Sequence, residues 1–102
     1  MLELRPNCEL CDADLPPGAP NARICSYECT FCAECVETVL HNVCPNCGGG
    51  LVSRPIRPRQ EWRPGAGLEH DPPDTKRRSA RYTEDEIAEL IATLRDIPPQ
   101  QR

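Results

Sequence analysis

Cys8 and Cys11, Cys25 and Cys29, Cys32 and Cys35, and Cys44 and Cys47 are the residues of this chain that can do chemistry. Three of the pairs read C-x-x-C and one reads C-x-x-x-C. Two thiolates at that spacing chelate one soft divalent cation through a tight backbone turn, and two such pairs complete a tetrahedron. Four pairs therefore imply two closed Cys₄ sites and two Zn²⁺. Disulfides are the competing use of the same thiols. The opening MLELRPNC has no apolar stretch resembling an export signal, so the expectation is a cytoplasmic chain whose thiols stay reduced. A structural zinc peptide site contributes roughly 10–16 kcal/mol against about 2–4 kcal/mol for a disulfide, which also favours metal.

Closed Cys₄ sites leave no open coordination position for a substrate or an activated water, so the chain is not expected to be an enzyme. A thioredoxin-like use of C-x-x-C needs a βαβ setting that the sequence lacks. His41 is an alternative ligand, but reads more simply as a residue at a helix end. His70 reads as solvent-exposed.

Something small must position these thiols. Of 102 residues, 38% are hydrophobic and 4% aromatic, which suits one small domain with appendages, and domains of this size need a staple. Residues 1–53 form the cysteine-rich head. Val36 to His41 reads as a short helix with Val36, Val39 and Leu40 inward. Cys44-Pro45-Asn46-Cys47 followed by Gly48, Gly49 and Gly50 reads as a knuckle turn, and Leu51-Val52 as a short strand. Residues 54–82 are rich in proline and arginine and read as an extended linker. Residues 83–97 read as an amphipathic helix. Thr83 is its N-cap and Glu86 completes a capping box, with Tyr82 and Ile87 as a hydrophobic staple. Ile87, Leu90, Ile91, Leu94 and Ile97 form one apolar face. Pro98 and Pro99 stop the helix, leaving 98–102 as a tail.

Two ligand pairings fit the spacing. In a sequential scheme, Cys8, Cys11, Cys25 and Cys29 hold one metal and the remaining four the other. In a cross-braced scheme, Cys8, Cys11, Cys32 and Cys35 form site 1, and Cys25, Cys29, Cys44 and Cys47 form site 2. Only two residues separate Cys29 from Cys32, so the middle pairs stand back to back, which favours the brace.

The spacing C-x₂-C-x₁₃-C-x₃-C-x₂-C-x₂-C-x₈-C-x₂-C resembles a RING finger with Cys29 at the usual histidine position. Leu10, Phe31 and Pro45 fit the same pattern. The stretches LELRPNCELCDADLPP (2–17), RICSYECTFCAECVE (23–37) and CPNCGGGLVSRP (44–55) are similar to a family of small bacterial proteins known as domain of unknown function 1272. The resemblance implies a bacterial cytosolic zinc protein with a small metal-stabilised α+β, RING-like fold, and no established activity.

RING ligases dock a carrier enzyme through an apolar residue in the first knuckle, a Trp before the seventh ligand and a basic residue after the eighth. This chain has Leu10, but Val39 and Gly48 stand at the other two places, so the spacing implies the fold rather than ligase activity. The favoured reading is a protein-interaction or regulatory module. Its terminal helix spans about two heptads, too short for a lone coiled coil, and must dock on its own head, a second copy or a partner, with Trp62 as a further anchor. Ile87, Leu90, Ile91 and Leu94 are the contact candidates on the helix.

Charge runs in blocks: net −5 over residues 1–53, +4 over 54–82 and −3 over 83–102. The basic middle (Arg54, Arg57, Arg59, Arg63, Lys76, Arg77, Arg78 and Arg81) allows a nucleic-acid reading. The acidic ends disfavour it, and pairing of the linker with the head accounts for the same charges. No run is long enough for a transmembrane helix.

Overall fold

Three short antiparallel strands, β1 (Ala22–Ile24), β2 (Thr30–Cys32) and β3 (Val52–Ser53), form a sheet in the order β2-β1-β3. The computed structural model describes all 102 residues. In β1–β2, Ala22 faces Cys32, Arg23 faces Phe31 and Ile24 faces Thr30; in β1–β3, Arg23 faces Ser53 and Ile24 faces Val52. The β1–β2 hairpin is closed by a turn that carries Cys25 at one end and Cys29 at the other. Cys32 then ends β2 and N-caps helix α1 (Ala33–Cys35), its sulfur accepting from the Cys35 amide at 3.5 Å.

The chain continues from α1 as a π turn over Val36–Leu40. Val36 and Leu40 are buried, whereas Val39 is 47% exposed, which corrects the expectation that Val39 faces inward. A wide i→i+5 turn places residues 36 and 40 on the core side and leaves the three residues between them, Val39 included, at the rim. His41 (φ 48°) and Asn42 (φ 62°) are both left-handed. This pair turns the chain back so that Val43 and Cys44 enter the core fully buried. Asn tolerates that conformation because its short side chain bonds locally, and here its Oδ1 accepts from the Leu51 amide at 2.9 Å.

Residues 54–82 contain no helix or strand, yet they are fastened along the head. The Asp74 amide donates to Leu4 O, the Ala80 amide to Glu9 O and the Arg81 amide to Asn46 Oδ1. Asn7, fully buried, clamps the Arg78 backbone from both sides, donating to its carbonyl and accepting from its amide. Arg77 pairs with Asp12 and Asp14, and Arg78 with Glu3 and Asp74. Trp62 stands 73% exposed on this segment.

Helix α2 (Glu84–Leu94) begins at Thr83 with both halves of the capping box in place. It stops three residues short of the expected Ile97. The residue before a proline avoids helical backbone, and Pro98 follows with extended ψ of 141°. Ile87 and Ile91 are buried in the same core cluster as Phe31, Leu40 and Val43, and Leu90 and Leu94 pack at its margin. Burying each isoleucine contributes on the order of 1.5–3 kcal/mol, so α2 is held by its own head. A 3₁₀ turn at Pro99–Gln101 follows, and Arg102 donates to Asn42 O and Gly48 O.

Candidate metal centre

The eight thiols lie at four turns, and two of these are copies of each other. In the first knuckle the Asp12 amide donates to Cys8 O and the Cys8 amide to Ala13 O. In the last, the Gly48 amide donates to Cys44 O and the Cys44 amide to Gly49 O. Each copy puts the residue after its second cysteine in left-handed backbone, Asp12 at φ 65° and Gly48 at φ 81°. The third turn is the β1–β2 hairpin end, where the Cys25 amide donates to Cys29 O and Glu28 takes φ 69°. The fourth is the β2–α1 junction at Cys32.

These turns bring the sulfurs of Cys8, Cys11, Cys32 and Cys35 within 4.8 Å of one another, and those of Cys25, Cys44 and Cys47 likewise. Both groups could hold a metal ion. Cys29 Sγ lies outside that limit for the second group, but its backbone carbonyl accepts from the Cys25 amide at 3.2 Å across the hairpin end. The partition follows from β2. Cys29 and Cys32 flank a strand at an odd separation, and alternate residues of a strand point to opposite faces. Of the eight, only Cys11 and Cys47 are exposed. His41 joins neither group; it closes the π turn, its amide donating to Val36 O.

The thiols of each group share protons. Cys25 is pushed down to about 3, first by the hydrogen bond from Cys29, then by that from Cys44, with the Tyr27 amide adding a third. Cys44 is pushed up, because its proton is shared with Cys25 and Cys29 and because it is buried. Cys35 is pushed up by burial first and by the proton it shares with Cys32. A cluster of this kind ionises one sulfur at the expense of its neighbours unless a cation replaces the protons. Backbone amides are already aimed at the sulfurs: Tyr27 N to Cys25 Sγ at 3.3 Å and Gly49 N to Cys47 Sγ at 3.4 Å.

Around the thiols stands a polar frame that sequence reading did not single out. Glu9, between Cys8 and Cys11, is 4% exposed. Its carboxylate accepts from the Thr30 amide at 2.5 Å, from Arg5 at 3.1 Å and from Asn46 at 3.4 Å. Thr30 lies between Cys29 and Cys32, and Asn46 between Cys44 and Cys47, so one carboxylate ties three of the four turns together. Burial pulls the Arg5 guanidinium down, but hydrogen bonds to Glu3 and Glu9 outweigh it and hold the group above its ordinary value. Arg54 is 4% exposed and donates to the carbonyls of Arg5, Leu15 and Pro16. Its pKa is lowered by burial. The available signal was a charged residue inside a cysteine knuckle, where solvent-facing residues are the usual choice.

The candidate contact residues beyond the head fall in different places. Ile87 and Ile91 are buried against the head, Leu90 and Leu94 are half-buried, and Trp62 is far from both thiol groups in sequence and exposed. An apolar groove of about 740 Å³ runs beside α2, lined among others by Leu10, Cys11, Val39, His41, Ala88 and Ala92. No helix of the protein is long and apolar enough to cross a membrane.

A family model described as a protein of unknown function (DUF1272) matches residues 1–57, a span that includes all eight cysteines, Glu9 and Arg54 and excludes Trp62 and α2. An uncharacterised protein of Rhizobium meliloti (strain 1021) is 67% identical over 58 residues, covering 57% of this chain and 69% of the relative. No solved structure matches. With its cysteine head spanned from end to end by that family model, the chain belongs to the DUF1272 family.

Proposed function

We propose that the protein is a structural zinc module with a cross-braced, RING-like head that presents surfaces for protein interaction or regulation and performs no catalysis of its own. The observation that carries this reading is the mutual approach of Cys8, Cys11, Cys32 and Cys35 within 4.8 Å, a set drawn from the first and third pairs rather than the first and second. Cys29 completes the second site in this reading, supported by its place at the far end of the hairpin turn that Cys25 begins. Four soft thiolates per ion select Zn²⁺ over harder divalent metals. A filled Cys₄ shell has no vacancy for substrate, which is why the reading is non-catalytic.

The nucleic-acid alternative is weaker, because Arg54, Arg57, Arg77 and Arg78 spend their donors on carbonyls and carboxylates of the chain itself. Native mass spectrometry of freshly purified, reduced protein, compared with the denatured mass, tests the metal count. Two bound zinc ions are expected, and none sinks the reading. In the cross-braced scheme Cys32→Ser also frees Cys8 and Cys11 for alkylation. In the sequential scheme it leaves them protected.

A further inference from the structure

Residues 81–102 meet the loop of the second cysteine group at several points. At Gly48, the residue after Cys47, a Cβ would lie 2.9 Å from Leu94 Cδ1, and at Gly50 a Cβ would lie 2.9 Å from Pro99 Cγ. Those two glycines let α2 and the following turn approach the knuckle backbone directly. Arg102 donates to Gly48 O at 3.0 Å, and the Arg81 amide to Asn46 Oδ1 at 3.1 Å. Both ends of the segment are thus pinned to the loop from residue 44 to residue 50. Open grooves flank the helix on both sides, one with Ile87 and Ile91 beside Leu10, Cys11 and Cys35 of the first group and one with Glu86, Leu90 and Thr93 beside Pro45, Asn46 and Cys47.

That same loop belongs to the less tightly gathered group. Four sulfurs of the first group lie mutually within 4.8 Å, against three in the second, with Cys29 standing off. Each group has one exposed thiol, Cys47 here and Cys11 in the first. We propose that the second centre is a metal-dependent latch for residues 81–102: its ion is the first to leave, and its departure undocks α2 and uncovers Ile87 and Ile91. This rests on the two-zinc reading above. The physical link is geometric. A close approach through glycines, with one hydrogen bond to the Gly48 carbonyl and one to the Asn46 side chain, survives only while the loop keeps one shape, and four metal–sulfur bonds would fix that shape. Coupling is reciprocal: if the metal favours docking, docking favours the metal by the same factor.

The test uses the full chain loaded with zinc and a graded series of chelator. Metal count is followed by native mass spectrometry, α2 by amide hydrogen exchange, and free thiols by mapped alkylation. Metal is expected to leave in two steps. The one-metal form should show alkylation at Cys47 and exchange in Glu84–Leu94 faster by at least ~10-fold, with the β1–β2 amides still protected. The reciprocal arm is Leu94→Ala, a change at a half-buried surface position. It should weaken the second metal within the ~5–150-fold range of ordinary coupling and leave the first unchanged. The latch is overturned if both metals leave together, if alkylation in the one-metal form falls on Cys8 and Cys11, if α2 stays protected, or if Leu94→Ala leaves second-metal affinity unaltered. Protein that carries no zinc at all sinks the zinc reading and the latch with it. Two zinc ions with an uncoupled helix sink the latch alone.

Discussion

Arg54 shows how a residue that reads as linker charge becomes part of the core. A buried guanidinium with no carboxylate against it is costly unless its donors are met, and here three carbonyls from two segments meet them. Those carbonyls belong to Arg5, Leu15 and Pro16, so Arg54 joins the segment before the first knuckle to the loop after it. We expect Arg54→Met to destabilise the head by roughly 2–3 kcal/mol, the scale of hydrogen bonds to a charged group, measured by urea unfolding of zinc-loaded protein. Arg77→Met, on the exposed ion pairs with Asp12 and Asp14, should leave the midpoint unmoved. The thiols were legible in the sequence because metal chelation demands one residue type at a narrow spacing. Glu9, Asn7 and Arg54 were not, because their roles depend on partners 21 to 71 residues away, and no local pattern encodes such a partner.

At the level of elements, α2 was readable for the opposite reason: its start is specified entirely within four residues. Thr83 Oγ1 accepts from the Glu86 amide, and Glu86 Oε1 accepts from the Thr83 amide at 3.0 Å. Its length and docking were less readable. Periodicity ran on to Ile97, but Pro98 ended the helix earlier. The apolar face named the residues to be covered without naming the cover, which the structure supplies from the head. Val39 was misplaced because a π turn has no sequence signal distinct from an ordinary helix. Thr83→Ala should cost about 1 kcal/mol of helix stability, seen as faster amide exchange confined to Glu84–Leu94. The Glu86 carboxyl is held below its ordinary value of 4.5, first by the Thr83 amide and then by the Thr83 hydroxyl. A carboxyl whose folded pKa is depressed stabilises the fold above its unfolded value and loses that contribution as pH falls through the folded one. Amide protection of α2 should therefore decline below about pH 4.5 in the parent. Glu86→Gln should flatten that decline.

The whole molecule measures 46 × 26 × 19 Å, and sulfur makes up a large share of its core. The core cluster holds 16 residues, of which Cys8, Cys25, Cys29, Cys32, Cys35 and Cys44 are six. With more than a third of the core made of thiols, the fold's stability depends on what those thiols bind. Shared protons lower Cys25 and raise Cys44, and burial followed by sharing raises Cys35. A cation that replaces several protons at once stabilises the folded state by its binding free energy, because the unfolded chain offers no preformed site. Two consequences follow under reducing conditions. Removing zinc with excess chelator should abolish the cooperative thermal transition and the dispersion of amide NMR signals from β1, β2 and α2. Acidification should do the same, steeply, because each ion must be displaced by several protons in one step. The midpoint should move to lower pH when free zinc is raised and to higher pH when it is lowered, since protons and metal compete for the same sulfurs. A metal-free, reduced protein that keeps its cooperative transition, or an acid midpoint indifferent to zinc concentration, is the result that removes metal from the account of this fold.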